Sequence, residues 1–386
     1  MAIWADVLVK NKKVVGGIAL GQLLSLIITF TGIFSQLLSI DHHFDAPTAQ
    51  SALNYLLLIF YVVPFFILKR RWSQPERFVS VLPDSPYAVM NGVTREDGED
   101  GAPSDAIKFS RRKLMMMVCL AFVDVEANYF AVKAYQFTSI TSVMILDCLT
   151  IPFVMFASRI VLGVIPNRNQ IIGVLIALIG SVILIVTDVL ENEVSAGSKP
   201  WLGDVLCVVA SMLYAVTNVG QEFYMKNYGP EEGIGTPSKY LLRVRELVRM
   251  EWLYTVGFFG FLVSSIQLAI LERDEISNLS VKGGTPVILI ILFALCLFAL
   301  YSLVPYMMIV ASATMFNLSL LTADVFAVIA SYFIFGNKLS PLYFVSLVVT
   351  MIGLIIYNLP VSVNPKYTLI QPPNDPNDSF RNTNRS

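Results

Sequence analysis

Residues 114–135 read LMMMVCLAFVDVEANYFAVKAY. Apolar residues dominate over about 20 positions, the length an α-helix needs to cross the hydrocarbon of a bilayer. Asp124, Glu126, Asn128 and Lys133 interrupt that run. A charge near mid-membrane costs at least about 2.5–3.5 kcal/mol, so such groups face a bundle interior or a watery cavity. The stretch reads as a membrane span with a polar flank, and as the first place to look for a solute pathway.

The rest of the chain fits that setting. Of 386 residues, 55% are hydrophobic and 14% charged, with a mean hydropathy of +0.67. A soluble domain carries about 25% charged residues, so the composition is that of an all-α polytopic membrane protein. The net charge of −1 gives no footprint for nucleic acid. The first residues, MAIWADVLVKNKKVV, lack the basic start, short apolar core and small-residue cleavage site of a signal peptide, so the first span is expected to stay attached. Cys119, Cys148, Cys207 and Cys296 all fall in apolar spans and read as packing residues. His42 and His43 share a short polar loop, where a solvated role is the plain expectation.

Ten apolar stretches have the character of spans: 14–38, 51–68, 114–135, 142–162, 171–187, 202–224, 251–271, 286–309, 314–335 and 342–359. The second and fifth are short for a crossing helix. Between them lie a polar loop at 69–113, a loop at 225–250 with a basic run from Lys239 to Arg249 suited to a short interfacial helix, a linker at 188–201, and polar tails at 1–13 and 360–386. With both termini placed in the cytoplasm, 22 Lys and Arg fall inside and 4 outside, Lys133 being the one within a span. That asymmetry follows the positive-inside rule.

The spans repeat. Shifted by 173 residues, the fourth and fifth fall on the ninth and tenth without a gap. Ser139 meets Ser312, Thr141 meets Thr314, Phe153 meets Phe326, Ala157-Ser158 meets Ala330-Ser331, Gly163 meets Gly336, and Ile179-Gly180 meets Ile352-Gly353. At a shift of 186 the first span falls on the sixth, with Gly17 on Gly203, Leu20 on Leu206, Ser25 on Ser211 and Thr31 on Thr217. The expected fold is therefore two five-helix repeats, 14–187 and 202–359. Five being odd, the second enters the membrane inverted, as in secondary transporters whose site lies between the repeats near the midplane.

Several side chains stand out within the spans. Glu126, Tyr129 and Lys133 share one stripe of the third span, while Asp124 and Asn128 form an i, i+4 pair beside it. These residues read either as a polar clasp between helices or as a cavity wall. Asp147 precedes Pro152 in the fourth span, and Asp324 lies mid-way along the ninth. The repeat shift lands Asp324 on Ile151, one turn from Asp147, so the two halves place carboxylates at similar positions. An excess of intramembrane acids points to proton handling or to attraction of a cationic or hydrogen-bonding solute. Asn218 and Glu222 form another i, i+4 pair near the end of the sixth span, where a solvated position is the simpler reading. Asp204 and Glu251 open their spans and read as interfacial. Pro64, Pro152 and Pro305 permit kinks, and Gly17 with Gly21 forms a GxxxG face for close helix approach. Asn278-Leu-Ser280, Tyr87-Ala-Val-Met90 and Tyr367-Thr-Leu-Ile370 match modification or sorting patterns of low specificity.

Asp124-Val-Glu126-Ala-Asn128-Tyr129, Lys133-Ala-Tyr135-Gln136, Thr141-Ser142-Val143, Leu146-Asp147-Cys148, Leu321-Thr322-Ala323-Asp324 and Ala19-Leu20-Gly21-Gln22 resemble the F subfamily of solute carrier family 35, from about Lys13 to Pro360. The family's basic position in the third span is often Arg; Lys133 stands there here, and the loop 69–113 is longer than usual. The resemblance implies the drug/metabolite transporter fold of ten helices in two inverted five-helix repeats. It also implies carriage of nucleobase- or nucleoside-like solutes of the queuine and queuosine type, or of cationic compounds, whereas the wider family moves nucleotide sugars in the Golgi and endoplasmic reticulum.

The expected activity is alternating-access transport, not catalysis, since no membrane-protease GxGD pairing, zinc motif or nucleophile motif is present. Glu126, Asn128, Tyr129, Lys133, Asp147 and Asp324 are the main candidates for substrate binding or coupling. Asp124, Tyr135, Asn218, Glu222 and Tyr301 are secondary ones, the aromatic rings being suited to stacking on a planar solute. No cofactor is expected. The expected partners are a small-molecule substrate and the bilayer, with a homodimer also compatible, in the plasma membrane or a Golgi or endosomal membrane. Nucleotide-sugar exchange is the rival within transport and calls for more basic groups in the cavity; a non-transporting receptor or scaffold is the rival outside it.

Overall fold

A computed structural model describes residues 2–42, 46–72, 110–134, 137, 143, 146–191, 200–229, 238–273, 284–335 and 341–359. Tyr135, His43, Asn278 and both tyrosine sorting patterns lie outside the described residues. The described elements are helices: α1 Ala2–His42, α2 Pro47–Ile59, α3 Val62–Trp72, α4 Arg111–Ala134, α5 Thr150–Val161, α6 Arg168–Glu191, α7 Pro200–Asn227, α8 Ser238–Leu271, α9 Gly284–Val310, α10 Ala313–Phe335 and α11 Pro341–Tyr357.

Seven segments among the described residues are long and apolar enough to cross a membrane, α2 and α3 counting together as one. The protein is an integral multi-pass membrane protein. Three further apolar helices are shorter. Two of these, α5 and α11, rise only about 18 and 26 Å at 1.5 Å per residue, against a hydrocarbon core of about 30 Å.

Several boundaries differ from the sequence expectation. The first span sits in a longer helix that carries His42 as well. The second breaks at Phe60–Tyr61, where Phe60 N, Tyr61 N and Val63 N reach back only three residues. Pro64 has no N–H to bond Phe60 O, and the tighter turn takes up that loss. The basic run at Lys239–Arg249 is not a separate interfacial helix. It is the first part of α8, which continues unbroken into the seventh span. Glu251 is accordingly not interfacial but buried along that helix.

Small residues set the closest crossings. Gly17 and Gly21 put α1 against Met315 and Ser319 of α10, where a Cβ on Gly21 would stand 2.3 Å from Ser319 Oγ. One turn on, the Ser25 hydroxyl donates to the carbonyl of Ser319 at 2.6 Å, and Thr29 donates to that of Ala323 at 3.1 Å. On the other side, the Ser211 hydroxyl of α7 donates to the carbonyl of Leu146, ahead of α5, at 3.1 Å. Helices α6 and α11 cross at Gly173, Gly180 and Gly353: a Cβ on Gly180 would meet Thr350, and one on Gly353 would meet Ala177. Further pairs are α4 with α7, α1 with α9, and α2 with α8. In the last pair Gly257 and Gly260 let α8 lie against Leu58 and the ring of Tyr55, which pins that ring toward α4.

A Cβ at Gly353 would stand 2.6 Å from backbone atoms of Gly173 and Ala177, which cannot swing away. Gly353→Ala should therefore cost about 1–3 kcal/mol through overpacking. Gly32→Ala, in open space, should be neutral or slightly stabilising. Thermal unfolding of the two variants in detergent checks the difference.

Candidate functional site

Helix α4 carries two polar faces, and the structure gives each its own partners. Asp124 and Asn128, one turn apart, face α2, α7 and α9. The hydroxyls of Tyr55 and Tyr301 both donate to Asp124 Oδ2, at 2.7 and 2.6 Å. These are short hydrogen bonds by the standard of hydroxyl donors. Asn128 Nδ2 lies 3.1 Å from each of the same hydroxyl oxygens and 2.8 Å from the Asp124 carbonyl, and Tyr214 donates to Asn128 Oδ1 at 3.1 Å. The rings of Tyr55 and Tyr301 meet edge to face at 6.0 Å between centroids. One carboxylate, one amide and three phenols from four spans thus converge, two spans from each half of the chain.

In the sequence Asp124 and Tyr301 are secondary candidates, and nothing singles out Tyr55 or Tyr214. The i, i+4 pair Asp124–Asn128 was the signal. Nothing in the helical spacing says which tyrosines of other spans answer it.

The other face meets α8. Glu126 accepts a hydrogen bond from Gln267 Nε2 at 2.6 Å. Tyr129 lies within electrostatic range of both Glu126 and Glu272. Glu272, just beyond α8, receives the N–H of Thr48 at 2.8 Å and of Ala49 at 2.9 Å, satisfying free donors in the first turn of α2. Lys133 Nζ stands 5.9 Å above the ring of Phe137, within the range of a cation–π contact.

Asp147 and Asp324 come together. They interact electrostatically, and Cys148 lies within range of both. Thr150 Oγ1 donates to Asp147 Oδ1 at 3.3 Å. Asp147 is accessible although protein surrounds it, and Asp324 is half-buried.

A third polar group stands at the opposite, basic end of α4, about 17 Å along the helix from Asp124. Lys113 Nζ meets Glu251 Oε2 at 2.5 Å, both side chains being nearly inaccessible, and lies over the rings of Tyr224 and Tyr228. Two residues along α8, Arg249 pairs with Glu246 at 2.6 Å while stacking on Tyr61 and Tyr306; Tyr306 also donates to Glu246 at 2.7 Å. Glu222 belongs to this end. It pairs with Lys226 at 2.5 Å and accepts the N–H of Ala313 at 2.7 Å, closing the start of α10. Asn218 donates to Asn317 at 3.2 Å nearby. These residues bind helices together, a clasp the sequence did not disclose, because Lys113 lies just outside the apolar stretch.

The family model described as solute carrier family 35, in its F subfamily form, matches residues 10–87, 102–240 and 235–359. The chain belongs to the F subfamily of solute carrier family 35. It is 35% identical over 341 residues to solute carrier family 35 member F2 of Mus musculus, covering 88% of this chain and 77% of that protein. Against solute carrier family 35 member F2 of Xenopus tropicalis, identity is 30% over 376 residues, or 95% of this chain and 83% of that one. A solved structure titled only as the crystal structure of a protein covers 88% of this chain and 96% of its own, with a TM-score of 0.54 and 11% identity, a likeness of fold alone. The relatives are named as solute carriers, which puts the family in solute transport.

Breaking the Lys113–Glu251 pair from one side leaves a buried charge uncompensated. Lys113→Met or Glu251→Gln alone should cost about 3–5 kcal/mol, and the double substitution much less than their sum. A double-mutant cycle on denaturant unfolding in detergent measures this coupling.

Proposed function

We propose that this protein is a secondary-active transporter that works by alternating access, for a small planar solute of nucleobase or nucleoside type. The observation that carries the reading is the convergence of Asp124, Asn128, Tyr55, Tyr214 and Tyr301 inside the bundle, from spans of both halves. Phenol rings suit a planar solute, and a carboxylate with an amide suits its hydrogen-bonding edge. A solute entering there competes for hydrogen bonds that otherwise tie four helices together, which couples binding to helix movement.

A ten-helix inverted repeat is part of this reading, and paired contacts support it. The bonds Ser25→Ser319 O and Ser211→Leu146 O are related by both sequence shifts: 211 exceeds 25 by 186, and 319 exceeds 146 by 173. Contacts Gly180–Thr350 and Gly353–Ala177 are related likewise by 173. The helix pairs α1–α9 and α4–α7 exchange under the same operation. In this reading α5, α10 and α11 are crossing segments, the basic end faces the cytoplasm, both termini lie on that side, and the repeats rock about the shared cavity. Asp147, Asp324 and Glu126 are the groups placed to link transport to protons.

Uptake by the protein reconstituted in vesicles tests this. Labelled nucleobases or nucleosides should accumulate. Asp124→Asn should lower uptake roughly ten- to a hundredfold, as expected for losing hydrogen bonds to a charged group worth about 1.5–3 kcal/mol. Accumulation of nucleotide sugars instead would select the exchange reading. Absence of flux for all three solute classes, with and without a pH gradient, overturns transport. Separately, Glu126→Gln with Asp324→Asn should abolish the response to a pH gradient. Unchanged uptake at every pH rejects the proton link.

A further inference from the structure

Among the described residues, ten buried side-chain atoms have no hydrogen-bond partner, and six of them belong to one helix pair. They are Thr48 Oγ1, Gln50 Oε1 and both heads of the Asn54 amide on α2, with Ser264 Oγ and Gln267 Oε1 on α8. The other four fall singly on α1, α5, α7 and α11. Asn54 and Ser264 are wholly inaccessible, and Gln50 is 3% exposed. The register of the pair sets them at neighbouring heights. Leu58 meets Gly257, and the Tyr55 ring meets Gly260. The helices run antiparallel, since Glu272 past the end of α8 holds Thr48 at the start of α2. One turn from Leu58 on its stripe is Asn54, and a second turn on is Gln50; two turns from Gly257 is Ser264. At 1.5 Å per residue, Asn54, Ser264 and Gln50 stand about 6, 10.5 and 12 Å beyond the Leu58–Gly257 contact. Asn54 and Ser264 are turned inward. Leu56, two residues from Asn54, and Leu262 and Ile266, two residues either side of Ser264, are exposed on the other sides of their helices.

The cluster around Asp124 has its hydrogen bonds already made. Asp124 Oδ2 accepts two phenols, and Asn128 uses both heads of its amide within the same group. A solute gains nothing there without displacing a bond. Asn54, next to Tyr55 in the chain, offers a free amide N–H and a free carbonyl side by side. Two unanswered heads inside a bundle are costly, and a bound solute that meets them recovers that cost. A metal cation would meet the oxygens and leave Asn54 Nδ2 unanswered. An apolar ligand would answer neither head. A planar ring with a donor and an acceptor side by side on one edge answers both, as a carboxamide pairs with the edge of adenine. We infer that Asn54, with Ser264 facing it and Gln50 one turn further out, forms the subsite that reads the hydrogen-bonding edge of the solute. It selects rings that carry a donor beside an acceptor, and the phenols around Asp124 flank the ring. This deepens the transport reading above and rests on it.

The test is uptake by the full chain in vesicles, with labelled adenine, guanine, uracil and their nucleosides, alongside thermal unfolding in detergent. Asn54→Leu nearly keeps the side-chain volume and removes both polar heads. It should lower uptake by at least about tenfold, the discrimination expected of one bidentate amide contact. Its unfolding temperature should stay level or rise, because an unanswered amide has been removed. Ser264→Ala should lower uptake less, with the fold equally unharmed. In the wild type, a base methylated at its donor nitrogen should compete at least about tenfold more weakly than the parent base, a difference that Asn54→Leu should erase. Full uptake by Asn54→Leu overturns the proposal, and so does equal competition by the methylated base in the wild type. A lower unfolding temperature for Asn54→Leu, whatever its uptake, means that the amide is bonded through internal water as part of the fold, and overturns it too. Uptake of none of these solutes by the wild type removes the transport reading first, and this inference with it.

Discussion

Asp124 sits about mid-way along a helix that is otherwise apolar, and a membrane interior gives a carboxylate no water. Its solution is to gather hydroxyls from other spans: Tyr55 on α2 and Tyr301 on α9 both point at one oxygen. Much of the packing serves that arrangement. Gly257 and Gly260 thin α8 so that α2 and the Tyr55 ring can come close to it. Asn128 sits one turn on and brings in Tyr214 from α7. Helices that have no hydrophobic reason to associate within lipid are held in register by this one acceptor.

The same constraint explains how polar groups divide along α4. Near its centre they are few, short-ranged and directed inward. At its basic end they are full ion pairs, Lys113 with Glu251 and Arg249 with Glu246, shielded by tyrosine and tryptophan rings around Tyr224. Aromatic faces replace part of the hydration those cations give up. Carboxylates near the ends of other helices do a further task. Glu272 and Glu222 receive free N–H groups at the starts of α2 and α10, tying distant parts of the chain together without a disulfide.

The sequence disclosed much of this and missed particular things for physical reasons. Hydropathy located the apolar helices, because insertion energy acts residue by residue along a span. Gly17 and Gly21 marked a face of α1 for close approach, since that needs small side chains wherever it occurs, but not that α10 would be the helix to meet it. Asp124, Asn128 and Tyr301 were visible as polar or aromatic groups in an apolar run. Tyr55 and Tyr214 were not, because a tyrosine in a span is ordinary until its hydroxyl has a partner. Lys113 looked like a flanking charge of the usual kind, and only the neighbouring helix shows it turned inward. The break at Phe60 owes its position to Pro64, four residues later, and the continuity of α8 to a basic run that helical periodicity alone could not assign.

Ser25 and Ser211 make like bonds to like carbonyls in the two halves of the chain. Under the alternating access proposed above, joints of this kind carry no preference: whatever one loses in a rearrangement, its counterpart regains. A resting bias toward one orientation must then come from parts that differ between the halves. The ion pairs Lys113–Glu251, Arg249–Glu246 and Lys226–Glu222 all stand at one end. In that mechanism they act as a weight on one pan of an otherwise even balance, so a charge lost there shifts the resting orientation without touching Asp124 or its partners.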